Sequence, residues 1–545
     1  MSTTYRPATR FWNLVHEEKS GIITIYFFAM LGGLVQLSIP LGVQSIIGFV
    51  MAGSLSASLV ILVTVIVAGV FFTGMMQINQ MKVIESIQQR IFSRYSYQFA
   101  DRIPRLDLKK VDEFYLPELV NRFFDITNLQ KSISKLLLDL PVATIQVLFG
   151  LVLLSFYHSL FIAFGLVLVL LLWLVLRITA GKGMASSLEE SRFKYALAGW
   201  FAEMARLVRS FKMSDASRLH IRKADERTIG YLNARTNHFG VLLLQYRALL
   251  FFKTVITLCM LVTGVHLLLQ QQINIGQFVA AEIVIILVIN SVEKIIINLD
   301  SVYDVFTAME KLGKLTDKPI ESSGSLKATV GNPQSMIADK LTFSFNETNY
   351  VLRDVSFNIK SGEKVCIAGP EGSGKTTLIN LLAGIYKEYD GKLLIGGTPL
   401  RNYDLASLRS NTGVLLHEEG VLHGSIWENI TMGRPDIDRD FVRMAVRAAG
   451  LNEFVSTLPH GYDTVVDPVG RRLPAHVVRK ILVVRALAFK PGIIILDEPW
   501  LGIEEQFQNS IADLLMSFHN STVIVATNER WFMDRCDAVI HLQKS

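Results

Sequence analysis

Between residues 20 and 299 the chain passes through six long apolar stretches, and this repetition constrains its fold more than any other feature. A helix needs roughly 20 apolar residues to cross a bilayer. Candidate spans lie at about 20–50, 57–80, 134–157, 159–178, 243–269 and 275–299. The first holds Pro40 and the pair Gly32–Gly33, so a kink is expected there; membrane helices tolerate one when neighbouring helices satisfy the freed backbone. A mean hydropathy of +0.37 over 545 residues is too high for an ordinary soluble protein and fits a membrane-embedded portion joined to a second domain.

The connections between spans carry the orientation. Those after the first, third and fifth are short and lack Lys and Arg: "MAGSLSAS", "YHSL" and "QQQIN". Those after the second and fourth are long. They hold Arg90, Arg94, Arg102, Arg105, Lys109 and Lys110, then Arg206, Arg209, Lys212, Arg218, Arg222 and Lys223. By the positive-inside rule the long connections face the cytoplasm, as do both termini. Their helical patterning predicts spans that continue well beyond the bilayer. The same rule accounts for the formal net charge of +6 without nucleic acid as a partner. Three cysteines, Cys259, Cys366 and Cys536, lie too far apart for a disulfide framework or a zinc motif. Near the N-terminus, Phe11, Trp12, Leu14 and Val15 suit a short helix on the membrane surface.

Residues 316–336 are polar and rich in Ser, Gly and Pro, and read as a linker between a membrane domain (1–315) and a second domain (337–545). Beyond them, short β-branched strands alternate with helical stretches, an α/β pattern. "KVCIAGPEGSGKTTLINLLAGI" puts a buried strand, a glycine-rich loop and an amphipathic helix in succession. Gly369, Pro370, Glu371, Gly372, Ser373, Gly374, Lys375, Thr376 and Thr377 fit the G-x-x-x-x-G-K-[ST] phosphate cradle. There, backbone N–H groups wrap the phosphates, the lysine reaches their terminal oxygens, and Thr376 is placed to ligate Mg²⁺. About 120 residues later, "PGIIILDEPW" ends a buried strand in Asp497 and Glu498. An acidic pair after an apolar strand is weak alone but strong beside a phosphate loop. Asp497 is read as a Mg²⁺ ligand and Glu498 as the group that polarises the attacking water.

With these motifs, six spans and two long hairpins, the chain resembles a half-transporter of the ATP-binding-cassette exporter type over nearly its full length. "GVLHGSIWENI" is similar to the stretch after the family's glutamine loop, and "IILDEP" to its magnesium strand. "FYLPELVNRFFDITNL" (114–129) and "INIGQFVAA" (273–281) look most like the bacterial toxin, bacteriocin and protein secretion branch, without its N-terminal peptidase domain. The resemblance implies a six-helix membrane bundle followed by an α/β nucleotide-binding domain, with ATP and Mg²⁺ as cofactors. It also implies a multi-pass place in a bacterial inner membrane and a second half-transporter as partner. In the secretion branch a periplasmic adaptor would join them. The hairpin ends near 112–124 and 199–212 would dock on the nucleotide domains.

Against that family several positions depart. The signature motif, usually Leu-Ser-Gly-Gly-Gln, aligns with Leu473, Pro474, Ala475, His476 and Val477. Pro474 offers neither hydroxyl nor N–H, and His476 adds bulk where backbone should approach phosphate. His417 stands at the glutamine that meets Mg²⁺, an ion that prefers oxygen. Asn528 replaces the switch histidine, Gly502-Ile503-Glu504 replaces Ala-Leu-Asp, and Phe345 takes the place of the adenine-stacking aromatic. Phosphate binding is thus expected to survive while turnover is slowed, each lost donor costing roughly 2.7–4 kcal/mol by analogy with oxyanion holes. Two readings follow: a dimeric exporter of a peptide or protein with atypical ATP sites, or a weakly hydrolysing regulatory half of a heterodimer. Glu282, inside the sixth span, is equally readable as a cavity contact or as a paired interior glutamate.

Overall fold

In a bilayer no water satisfies backbone N–H and C=O, so the apolar stretches become helices. A computed structural model describes residues 7–544 except 54–56, 113–114, 159, 215–217, 330, 347–348, 418 and 467–472, and leaves out the side chains of residues 162 and 346. The expected start of the fourth span, at 159, falls outside the described residues, as do Arg471 and Arg472 before the signature-like turn.

A short amphipathic helix α1 (Pro7–Glu17) buries Leu14, sets the Phe11 ring 5.3 Å from the Phe306 ring and leaves Trp12 66% exposed. Among the described residues, six helices long and apolar enough to cross a membrane follow. They are α2 (Lys19–Met51), α3 (Ala57–Arg102), α4 (Asp125–Tyr157), α5 (Leu160–Arg206), α6 (Leu219–Leu269) and α7 (Ile275–Ile297), the last continued by α8 (Leu299–Thr316). At 1.5 Å per residue, the 51-residue α6 is roughly 75 Å long, more than twice a hydrocarbon core. The helices meet where a side chain is missing. A Cβ on Gly33 of α2 would lie 2.7 Å from Ile145, and one on Gly150 of α4 would lie 2.5 Å from Val288. Close approach at small residues is how membrane helices gain packing without a hydrophobic drive.

Pro40 and Pro141 both sit inside helices and are buried. Interior polar groups pair with one another. Gln146 of α4 donates to Gln36 of α2 at 2.6 Å and accepts from Ser291 of α7 at 2.7 Å. Glu293 pairs with Lys253 at 3.2 Å, the structural pairing expected of an intramembrane charge.

The chain divides into two units, Met1–Arg105 with Phe114–Pro319, and Leu106–Glu113 with Ile320–Ser545. The second is an α/β domain. An antiparallel sheet runs β2-β1-β4-β5, with β1 Met336–Asn346, β2 Asn349–Ile359, β4 Asp390–Ile395 and β5 Thr398–Pro399. A parallel sheet runs β9-β3-β8-β7-β6, with β3 Lys364–Ala368, β6 Thr412–Leu415, β7 Ile493–Asp497, β8 Thr522–Ala526 and β9 Ala538–His541. β3, β7 and β8 are buried along their whole length, the continuous apolar run typical of a parallel sheet covered on both faces. Within the polar stretch after α8, Leu106 bridges Ile320 and Gly324 N–H donates to the Tyr403 carbonyl, so residues 320–324 lie along this unit. Leu106–Glu113 groups with this unit, and residues 116–124 group with the membrane helices.

Candidate functional site

Strand order decides what meets at the carboxyl edge of the parallel sheet. Because β8 lies between β3 and β7, the chain leaving each of them opens beside the others. In open α/β sheets this edge is where ligands bind. The loop after β3 turns through Gly372 (φ 77°) and Gly374 (φ 88°), left-handed backbone that lets successive N–H groups point inward. Gly374 has no room for a side chain, since a Cβ would stand 2.7 Å from Leu352 and 3.0 Å from the Val351 carbonyl. Helix α9 (Lys375–Leu382) begins there and anchors itself by burying Leu378, Ile379, Leu381 and Leu382.

The Lys375 ammonium folds back over the loop, donating to the carbonyls of Gly369 at 2.6 Å and Pro370 at 3.2 Å. Ser373 is 1% exposed, and its hydroxyl has no partner among the described residues. An orphaned buried hydroxyl calls for a partner, and a phosphate oxygen in the cradle would be one. The Thr376 hydroxyl donates to Asp497 at 2.8 Å, so two hard oxygens stand together where a Mg²⁺ would be taken.

Glu498 is held from three sides. Its backbone is left-handed at φ 44°, a strained setting for a residue with a Cβ. Its N–H donates to the Ala526 carbonyl at 2.9 Å, and Thr527 donates to its carboxylate at 3.1 Å. The Arg479 guanidinium donates to the carbonyl of Glu498 at 2.5 Å and also to that of Asp497. Burial raises the carboxyl above the usual glutamate range; Thr527 opposes the shift and neighbouring Asp497 adds to it. A base with a raised pKa is closer to the strength needed near neutrality.

Asn528 follows Thr527, and its side-chain oxygen accepts from the Gly369 N–H at 3.0 Å, so the residue in place of a switch histidine is tied to the loop backbone. Phe345 is exposed and meets Phe343 and Tyr386 edge-on, with centroids 5.1 and 5.7 Å apart. His417 is exposed in the turn after β6 and makes none of the hydrogen bonds that link the loop, Asp497 and Glu498 among the described residues.

The signature-equivalent residues make no hydrogen bond to the phosphate loop among the described residues. Pro474 is exposed at the start of α10 (Ala475–Leu487), where no side chain caps the helix. Its carbonyl accepts from the N–H of Val477 at 2.9 Å. Leu473 and Val477 pack into the core, and Ala475 is exposed. His476 is half-buried, its Cβ 4.0 Å from where a Cβ on Gly502 would be. The buried Lys480 pairs with Glu504 at 2.6 Å. Two departures that are distant in sequence, His476 and Glu504, thus belong to one packed corner; Lys480, with a smaller share from His476, holds Glu504 below the usual range.

Arg479 and Thr527 escaped the sequence reading. Arg479 lies in the helix after the signature-equivalent residues, where nothing in its spacing marked it, and Thr527 stands beside Asn528 without a motif of its own. Tyr386 had no periodic signal, because it reaches Phe345 from a loop.

Residues 22–292 match the family model for the ABC transporter transmembrane region, and residues 352–501 match the ABC transporter model. The chain belongs to the ABC transporters. It is a half-transporter of exporter fold, with six apolar helices followed by an α/β nucleotide-binding domain. A bacterial Atm1-family ABC exporter with ATP bound superposes with a TM-score of 0.85, over 97% of this chain and 94% of that one, at 19% identity. The glucan export ATP-binding/permease protein NdvA of Rhizobium meliloti, named for a β-(1→2) linkage, is 28% identical over 281 residues, 50% of this chain and 48% of its own. An ATP-dependent lipid A-core flippase of Burkholderia orbicola is 29% identical over 308 residues, 55% of this chain and 50% of its own. The match spans about half the length of these curated relatives.

Proposed function

We propose that this chain is one half of a dimeric, ATP-driven exporter in a bacterial cytoplasmic membrane, with the nucleotide domain and both termini on the cytoplasmic side. The observation that carries the reading is the meeting of Lys375, Ser373, Thr376–Asp497 and Thr527–Glu498 at one sheet edge, in a chain that also supplies six spans. In this reading residues 369–377 bind the phosphates and Phe345 stacks on the base. Thr376 and Asp497 hold Mg²⁺, which when bound neutralises phosphate charge. Glu498 orients the attacking water, and Asn528 steadies the loop. His417 takes the place of the coupling glutamine without a hard oxygen to offer the metal.

For cargo, the likeness of residues 114–129 and 273–281 to the secretion branch favours a peptide or protein, with a periplasmic adaptor. The relatives are named for glucan export and lipid A-core flipping, and we propose a cargo of that kind in place of a peptide. A second reading rests on Pro474 and His476: the chain binds ATP, hydrolyses it weakly, and regulates a partner half whose signature motif is complete.

ATP turnover by the purified chain in lipid, beside a Glu498→Gln control, separates the two. The first reading expects turnover that the control lacks. It also expects Pro474→Ser with His476→Gly to raise turnover roughly 100-fold or more, since one restored donor is worth about 2.7–4 kcal/mol. ATP binding without turnover above the control sinks the autonomous pump and leaves the regulatory half.

A further inference from the structure

The carboxyl ends of α2 and α6 and the amino end of α7 meet at one end of the membrane domain. At that end a cavity of about 780 Å³ opens between the last turns of α2, the end of α6 and the start of α7. Its polar lining is Gln44, Ser45, Gln271, Gln272, Asn274 and Gln277, five carboxamides and a hydroxyl; no Asp, Glu, Lys, Arg or His lines it among the described residues.

Gln44, Asn274 and Gln277 are fixed by neighbours. Gln44 accepts from the Tyr157 hydroxyl at 2.8 Å, and Asn274 and Gln277 form a reciprocal cap at 2.8 and 2.9 Å. Each cap oxygen takes one backbone N–H, and Gln272 donates to the Gln270 side chain at 3.1 Å, which leaves every oxygen a second lone pair and every NH₂ a donor. Gly276 lets α7 close onto α2, where a Cβ would stand 3.0 Å from the Gln44 carbonyl. Eight residues further down α2, roughly 12 Å at helical rise, Gln36, Gln146 and Ser291 form a second uncharged rung. Ser291 is 1% exposed and Gln146 6%, so this rung is built into the bundle.

From this lining we infer that the cavity binds an uncharged, multiply hydroxylated ligand, a neutral saccharide of a few units. Each carboxamide offers donors and an acceptor, the combination that matches sugar hydroxyls. A charged ligand would lose hydration with no opposite charge to meet it. An acyl chain would strip water from amides that gain nothing in return. The volume falls within the range of small-ligand sites, roughly 300–1,000 Å³.

This inference rests on the export reading for its physiological meaning, but its test does not. The full chain in lipid nanodiscs is titrated calorimetrically with a linear glucose tetramer, with the matching tetramer of glucuronic acid, and with an alkyl maltoside's free fatty alcohol. ATP binding and turnover are measured on the same samples. Saturable binding of the glucose tetramer is expected, at least tenfold tighter than that of the uronate, with no binding of the alcohol. Gln44→Leu and, separately, Gln271→Ala are each expected to weaken it at least fivefold while ATP binding stays unchanged, which shows that the variants fold. Failure of the glucose tetramer to bind, equal or tighter binding of the uronate, or affinity unmoved by both variants overturns the inference. If the tetramer binds as expected and no ATP is turned over, the site stands and the export reading falls. If ATP is turned over and no tetramer binds, the reverse holds.

Discussion

Glu498 shows how one residue's setting becomes a measurable pH dependence. Its carboxyl is raised by burial, so the folded state binds its proton at a higher pH than the unfolded chain does. The associated stability is fully present below the unfolded-state pKa and is lost as pH rises through the folded one. Neutral conditions therefore keep a half-buried charge that Glu498→Gln would remove. We expect Glu498→Gln to raise the melting temperature of the nucleotide domain at pH 7.5 and to leave it nearly unchanged at pH 4, read by scanning calorimetry with nucleotide absent. An equal shift at both pH values would mean that burial of the charge is not what raises the pKa.

At the scale of an element, the phosphate loop depends on backbone that only glycine accepts. Gly374→Ala would put a methyl group 2.7 Å from Leu352 at φ 88°, both a clash and a strained dihedral costing of order 1–3 kcal/mol. The N–H groups that wrap the phosphates would turn away, and affinity for a fluorescent ATP analogue should fall at least tenfold. Gly420→Ala, where a Cβ meets nothing within 4 Å and φ is not left-handed, should bind the analogue as the parent does. The contrast tests conformation, because both changes add the same methyl. The parallel strands β3, β7 and β8 need no such local device; they hold because each is buried throughout, an Ile or Leu contributing roughly 1.5–3 kcal/mol.

Across the whole molecule, the segment 106–113 runs between two membrane helices in sequence yet packs as part of the nucleotide domain. Lys110 pairs with Glu388 at 2.6 Å, and Lys109 sits 5.0 Å from the centre of the Phe343 ring, next to the Phe345 that would receive the base. Lys110 and Glu388 are each about half exposed, so the pair is worth only about 0.2–1 kcal/mol. Lys110→Glu should lower ATP turnover in lipid by a factor under roughly five, and adding Glu388→Lys should restore it. A double reversal no better than the single would show that the charge pair does not fix this segment.

Much of this protein could be read from residue order. Six apolar runs with alternating short and charged connections specify a membrane bundle, because segment length and loop charge are local properties. The phosphate loop and the strand ending in Asp497 and Glu498 were legible for the same reason: each motif lies within about 20 residues and its chemistry depends on local backbone. Tertiary structure alone decided the rest. Placing β8 between β3 and β7 brings Thr527 to Glu498 and Asn528 to Gly369, contacts across 29 and 159 residues that no periodicity encodes. Arg479 reaches the carbonyls of Asp497 and Glu498 only because α10 packs against that edge. The amides of the far cavity come from α2 and from the connection into α7 with its first turn, more than 200 residues apart, and only helix packing makes them neighbours. Sequence fixes what a segment can form by itself, while long-range packing fixes which segments share a site, because only the folded chain brings distant side chains within hydrogen-bonding reach.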